Sequence, residues 1–151
     1  PSEREAALTT NFGPDDSQLA TLASLDPDAP VAALNLFQFN ERALYSPDDE
    51  EYGTEAANVS GQEAFSRYAA AAGQVLADLG GRVVFSTTVE QVMIGPSDPP
   101  WHAAAIMFFP TRKAFIQMTM NPDFQAASRH RKAGLANHYQ AHLDGTPWVT
   151  V

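Results

Sequence analysis

The sequence predicts an α+β fold in the order β-α-β-β-α-β, in which two helices cover one face of an antiparallel four-stranded sheet. Three observations predict it. An apolar run spans 31–39, a capped amphipathic helix begins after Ser60, and two strand-like runs flank the turn sequence PSDPP at 96–100. This order is called ferredoxin-like, and a chain of 151 residues is most simply one such domain.

The first part of the chain predicts a short helix, a buried strand and a long loop. Asp15 or Asp16 can cap a helix in PDDSQLATLASLDPDAP, and the prolines stop it. The run VAALNLFQF at 31–39 is apolar at nearly every position, which is typical of a strand buried on both faces. Its one early polar residue is Asn35. Residues 40–60 are acidic and lack an apolar period, so we expect a loop.

The middle of the chain predicts a long helix and a hairpin. Ser60 and Glu63 form the S-x-x-E pattern of a capping box. The helix that follows carries an apolar face, and the Gly-Gly pair at 80–81 ends it. The β-branched run RVVFSTTVEQVMIG at 82–95 and the run WHAAAIMFF at 101–109 then form two strands joined by the turn.

The second helical part begins at Thr111, which can cap a helix that Asn121-Pro122 interrupts. The sequence PDFQAASRHRKAG then makes a further turn or short helix. The last element, LANHYQAHL at 135–143, is ambiguous, because its composition favours a helix and the preceding order of elements asks for a strand. The tail GTPWVTV alternates like a strand and is expected to pair with a sheet edge of its own chain or of a partner.

The ambiguity decides whether a metal site is expected. His138 and His142 would adjoin on a helix and could share an ion. On a strand they lie roughly 13 Å apart, which is too far to chelate one ion. The strand assignment therefore predicts no metal, and no spacing in the chain predicts a haem or another cofactor.

Composition limits the partners. The chain has a net charge of −9 and no long basic stripe, so nucleic acid is not an expected partner. No apolar run reaches the roughly 20 residues that cross a bilayer, the N-terminus lacks the pattern of a signal peptide, and there are no cysteines. We therefore expect a soluble, cytoplasmic protein without membrane contact.

Positive charge is nevertheless concentrated at one place. Residues 1–98 hold 16 acids and 4 bases, whereas Arg129, His130, Arg131 and Lys132 are consecutive. Histidine exchanges protons near neutral pH, and a guanidinium holds a carboxylate or an enolate at two points. His130 and Arg131 are therefore candidate catalytic residues, and Arg129 is a candidate ligand contact. The competing interpretation is that these cations offset a helix dipole and bind the acidic loop.

Four other residues are candidates for the same site. The Asn35 amide could orient a ligand carbonyl, and the Tyr68 hydroxyl could assist it from the apolar helix face. Glu90, the one acid in the run 82–95, and Trp101 are candidate ligand contacts. Each has a structural alternative: a backbone-bonded amide, a core tyrosine, a solvated charge and an interface or core tryptophan.

Several segments together resemble a known family. LNLFQF, the helix GQEAFSRYAAAAGQVLADLGGR, the pair VEQVMIG and WHAAAIMFFP, and NPDFQAASRHRKAGL follow in order the pattern of domain of unknown function 1330, over about 31–143. The resemblance implies a dimeric α+β barrel, in which two ferredoxin-like subunits pair sheet to sheet. Residues 1–30 would then be an N-terminal extension and 144–151 a tail. His102 stands where relatives often have an acid, so no role is transferred to it.

Three functional hypotheses follow. The first is a cofactor-free enzyme (isomerase, cyclase, monooxygenase-like or related proton transfer) acting on a small apolar molecule with a carboxylate or an enolisable carbonyl. The second is a non-catalytic carrier that binds such a ligand in the same cavity. The third is a purely structural dimeric module in which the basic run forms salt bridges with the 40–60 loop. The sequence leaves the substrate and the reaction open.

Overall fold

The strands and helices follow one another in the order that the sequence predicts. The computed structural model describes residues 13–148. Within that range the elements are α1 (Asp16–Ser24), β1 (Val31–Phe39), a 3-10 turn (Glu55–Ala57), α2 (Gly61–Asp78), β2 (Arg82–Thr88), β3 (Ala103–Phe109), α3 (Arg112–Met120), α4 (Pro122–Gly134) and β4 (Leu135–Asp144). Residues 1–12 of the expected extension and 149–151 of the tail lie outside the described residues.

The four strands form one antiparallel sheet in the order β2-β3-β1-β4. The predicted ferredoxin-like fold is confirmed, and the ambiguous segment 135–143 lies within a strand. The tail prediction is not seen in the part that is described, since residues 145–148 form no strand.

One strand boundary was predicted wrongly. The sequence predicts a strand over 82–95, but β2 ends at Thr88. β2 is an edge strand whose one neighbour in the sheet, β3, begins at Ala103, directly opposite Thr88. Val89 still donates to the carbonyl of His102, and beyond that point no strand runs alongside. Residues 90–95 therefore have no neighbouring strand with which to form hydrogen bonds, although their composition favours a strand.

Local capping holds the helices where the sequence places them. The Oγ of Ser60 accepts the Glu63 amide at 3.0 Å at the start of α2, and Thr111 and Asn121 cap α3 and α4 in the same way. The buried face of α2 packs on the sheet, where Val75 and Leu76 join a core with members from β1, β3 and α3: Val31, Ala33, Phe109, Ala114 and Met118.

The two faces of the sheet differ. Alternate residues of β1, from Val31 to Phe37, are buried on the helix side, and Asn35 is one of them. The intervening positions, such as Leu34, face the other side and are only half-buried. Phe85 and Tyr139 lie on that second face and are 62% and 51% exposed. Within residues 13–148, no helix is long and apolar enough to span a membrane.

Candidate functional site

Helix α4 sends the members of the basic run in different directions. Successive helical residues point about 100° apart around the axis, because a turn takes 3.6 residues. Arg131 points toward β4 and α2, whereas Arg129 and His130 point toward the loop at 40–60. The structure therefore does not bring His130 and Arg131 together, although they are adjacent in the sequence.

Arg131 belongs to what we call the inner network, formed by Asn35, Tyr68, Arg131, His138 and Gln140. Asn35 is fully buried, and its Oδ1 accepts hydrogen bonds from His138 Nε2 and Gln140 Nε2, both at 2.8 Å. The register explains the contact, because Gln140 lies opposite Asn35 on β1 and His138 is two residues away on the same face of β4. The structure thus unites three predicted site residues, Asn35, Tyr68 and Arg131.

Hydrogen-bond directions assign the protons of the inner network. The Nδ2 of Asn35 donates to the carbonyls of Ala33 at 3.2 Å and Ala105 at 3.5 Å, so its Oδ1 is the acceptor. His138 must then carry its proton on Nε2. Its Nδ1 presents a lone pair to Nη1 of Arg131, 3.3 Å away. Burial, and then the charge of Arg131, lower the pKa of His138 to about 3, so this imidazole is neutral at pH 7.

The Tyr68 ring lies beneath the guanidinium of Arg131. The guanidinium carbon lies 6.0 Å from the centre of the Tyr68 ring, within the range of a cation–π contact. Burial lowers the pKa of Arg131 and raises the pKa of Tyr68. At pH 7 the pair is therefore a cation above a neutral phenol. Arg131 and His138 are half-buried and Gln140 is exposed, so the inner network reaches solvent beside β4.

His130 and Arg129 belong to a separate group, the outer cluster, together with Tyr45, Glu51 and Arg67. The Arg129 Nε donates to both carboxylate oxygens of Glu51, at 2.9 and 3.1 Å. The Tyr45 oxygen lies 2.7 Å from His130 Nδ1 and accepts from Arg67 Nη1 at 2.9 Å. His130 Nε2 lies 3.8 Å from Glu51. Arg129 and His130 therefore contact the loop rather than the inner network, as the structural alternative anticipates.

Electrostatics in the outer cluster follow from these contacts. The hydrogen bonds from Arg129 hold the pKa of Glu51 below its ordinary value of 4.5, and the same pair raises the pKa of Arg129. Burial, and then the charge of Arg129, lower the pKa of His130 below 6.5. At pH 7 the His130 imidazole is therefore neutral, whereas the neighbouring Glu51 and Arg129 are ionised.

The two other candidate contacts lie elsewhere. Glu90 is exposed just beyond β2. Trp101 is half-buried, and its ring lies 6.4 Å from that of Tyr139, which is on the sheet face opposite Asn35. The structure brings neither residue to the inner network. Glu90 and Trp101, which the sequence predicts as ligand contacts, therefore lie apart from the other candidate residues.

Two open clefts lie near these groups, and Arg129 of the outer cluster lines the second of them. A cleft of about 470 Å³ lies at the end of the sheet beside Phe39, Glu41 and His102. Another, of about 420 Å³, lies between the loop at 40–60 and α4. Neither is lined by Asn35, Tyr68 or Arg131. In the part of the chain that the structure describes, no three metal-ligating side chains form a group that could hold an ion.

Sequence reasoning missed the partners of its own candidates. His138 and Gln140 were available from the pattern, because a strand puts them on one face with His142. Their contact with Asn35 depends on the register between β1 and β4, which the pattern does not give. Tyr45 and Glu51 lie in a loop without periodicity, and no sequence signal places them on α4.

Comparison with known proteins agrees with this fold. The family model described as Domain of unknown function (DUF1330) matches residues 52–141. The crystal structure of the RPA0582 protein of unknown function from Rhodopseudomonas palustris is 29% identical, with a TM-score of 0.77 over 91% of this chain and 98% of that one. Its methylated form gives 29% identity and a TM-score of 0.78, over 92% and 97% of the two chains.

A more distant structure is a dabb family protein with a ferredoxin-like fold from Mesorhizobium loti. It is 16% identical, with a TM-score of 0.44 over 80% of this chain and 99% of that one. No curated protein matches the chain. The descriptions of these three structures name no activity.

Proposed function

This chain belongs to the family of the Domain of unknown function (DUF1330), and on that premise we propose that it binds a small anionic molecule at the inner network. The observation that carries the proposal is the pairing of the Arg131 guanidinium with a neutral His138, 3.3 Å apart and anchored on the fully buried Asn35. The family's name supplies no ligand, so the chemistry of these groups must.

An anion suits this place for electrostatic reasons. A guanidinium presents paired donors that match a carboxylate, and partial removal from water strengthens the attraction. Arg131 is half-buried and lies above the Tyr68 ring, and its guanidinium is a cation at pH 7. A bound carboxylate would reach Arg131 from the solvent side of β4, where Gln140 is exposed. We propose that Asn35 acts through His138, by fixing the ring that flanks the ligand.

A second candidate function is proton transfer without a cofactor, and one observation favours it. The His138 Nδ1 lone pair faces the same space as Arg131. A bound anion would offset the charge of Arg131, one of the two causes that hold the pKa of His138 near 3, and so make the imidazole a stronger base. An isomerisation or cyclisation beside a carbonyl requires such a base. His138, rather than His130, takes this role in the proposal.

Replacing Arg131 by glutamine is expected to weaken the binding of a small carboxylate about 10- to 100-fold, because a hydrogen bond to a charged group contributes about 1.5–3 kcal/mol. The measurement is a thermal-shift screen of acetate, benzoate and their neutral amides, followed by calorimetric titration of any carboxylate that stabilises the protein. Lys132→Gln is the matched control, since it removes one exposed positive charge from the next position of α4. Equal loss in both variants, or no stabilisation by any carboxylate, would contradict the proposal.

We also propose that two copies pair through the sheet face opposite the helices. This face carries four large apolar side chains, the exposed Phe85 and Tyr139 and the half-buried Leu34 and Ile106. Pairing would bury them and so remove apolar surface from contact with water, which is favourable. The pairing would leave the inner network, which is on the helix side, within each subunit.

Replacing Phe85 by aspartate is expected to convert the protein to a monomer, because each subunit would bring a charge into the apolar interface. Light scattering coupled to size exclusion should report twice the chain mass of 16.3 kDa for the unmodified protein and a single chain mass for the variant. Leu19→Asp, at an exposed apolar position on α1, should remain dimeric. A monomeric unmodified protein at micromolar concentration would refute the pairing.

A further inference from the structure

The loop at 40–60, which we call the strap, is fastened across α2 and α4. Its backbone pairs with the end of α4, where Asn40 donates to the Gly134 carbonyl at 2.8 Å and Leu44 donates to that of Ala133 at 2.9 Å. Tyr45 is 7% exposed and packs in a small apolar group with Ala133 and with residues of α2 and the strap. These contacts and the outer cluster, which holds Tyr45 and Glu51, together fasten the strap to the two helices.

The hydrogen bonds of the outer cluster run in one direction. A guanidinium can only donate, so Arg67 occupies a lone pair of the Tyr45 oxygen. The phenol has its own hydrogen to donate, and an unprotonated His130 Nδ1, 2.7 Å away, accepts it. The proton of the neutral ring lies on Nε2, which faces Glu51. The arrangement requires a neutral His130.

A proton added to His130 Nδ1 would oppose this arrangement. The Tyr45 oxygen would face two donors, from Arg67 and His130, and its own hydrogen would lose its acceptor. The new charge would also meet Arg129 from α4 and Arg67 from α2, while Glu51 and Asp49 of the strap would favour it. The pKa of His130 lies below 6.5, so burial and the two guanidiniums, which lower this pKa, outweigh the two carboxylates, which raise it.

We infer that the strap is an acid-released latch, in which protonation of His130 breaks the Tyr45 hydrogen bond and detaches residues 40–60 from α2 and α4. A released strap, in which His130 is solvated, binds the proton more tightly than the closed one. The closed form therefore has its full stability above pH 6.5 and loses it as the pH falls through the lowered pKa of His130. Glu51 stays ionised in this window, because its pKa lies below 4.5.

The test compares amide hydrogen exchange at pH 7.5 and pH 5.5, with protection factors corrected for the intrinsic pH dependence. Leu44 and Asn40 should lose protection severalfold at pH 5.5, because their amides bridge the strap to α4. The amides of β1 report global unfolding, to whose own acid dependence His138 contributes, and they should stay more protected than Leu44 at both pH values because the strap opens locally. In His130→Gln, whose side chain does not titrate, the acid response of Leu44 should disappear.

His142→Gln is the matched control, because burial also lowers the pKa of His142 but the residue lies on β4, away from the strap. It should keep the acid response. If His130→Gln fails to fold, Tyr45→Phe provides the test, since it removes the bond at both pH values and should leave Leu44 weakly protected throughout. Unchanged protection of Leu44 at pH 5.5, protection of Leu44 equal to that of β1, or a full response in His130→Gln would each overturn the latch. None of these outcomes depends on the ligand proposed for Arg131.

Discussion

Replacing Gly134 by alanine is expected to lower the free energy of unfolding by about 3 kcal/mol, because α4 and α2 touch through their backbones at this point. A Cβ built on Gly134 would lie 2.5 Å from the carbonyl oxygen of Gly61 and 2.8 Å from the amide nitrogen of Phe65. Backbone atoms of a packed helix cannot swing aside as a side chain can. The helices would have to separate, and the strap fastened at Ala133 and Gly134 would move with them.

Urea denaturation of the variant measures this loss. Gly73→Ala is the matched control, since it adds the same methyl group within α2 where no atom lies within 4 Å. It should leave the protein unchanged or stabilise it by up to about 1 kcal/mol, because alanine favours the helix more than glycine does. Equal effects of the two substitutions would show that the helices do not approach closely at Gly134.

Replacing Asn35 by leucine is expected to lower the free energy of unfolding by about 2–3 kcal/mol, since the Nε2 hydrogen of His138 would lose its acceptor in a largely apolar setting. The carbonyls of Ala33 and Ala105 would lose a donor as well. Leucine has the same branching as asparagine but a larger volume, so overpacking at this fully buried position adds to the loss from unpaired polar groups. We also expect the His138 ring to lose its fixed orientation, which an imidazole nitrogen NMR spectrum would detect.

Gln140→Leu is the comparison that isolates burial. It removes a hydrogen bond to the same Asn35 oxygen, but Gln140 is exposed and Asn35 keeps the bond from His138. Its effect should stay within about 1 kcal/mol, as for most surface positions. If Asn35→Leu proves as mild as Gln140→Leu, the inner network is not the anchored group on which the proposed ligand site depends.

The positive charges at 129–132 lie on one helix, α4, and make two separate sets of contacts. Arg129 binds Glu50 and Glu51 of the strap, which neutralises part of the acidic loop. Arg131 points the other way and places a guanidinium beside His138. The hypothesis of a salt-bridged loop therefore describes Arg129, and the hypothesis of an anion site rests on Arg131.

The sequence determined the parts of this protein that depend on neighbouring residues. Caps at Ser60, Thr111 and Asn121 begin helices because each side chain reaches an amide two or three residues away. Apolar and β-branched runs located three strands, the order of the elements supplied the fourth at 135–143, and together with the helices they indicated the ferredoxin-like fold. Asn35 was recognised as unusual because one polar residue interrupts an apolar run.

Tertiary structure decided which chemical groups meet. The direction of each residue in the basic run depends on the turn of α4, and the partners of Asn35 depend on the register of β4 against β1. Tyr45 and Glu51 reach His130 and Arg129 across 85 and 78 positions of sequence. Such contacts arise from packing between distant segments, which no local pattern encodes, and for that reason two separate groups of side chains looked like one site in the sequence.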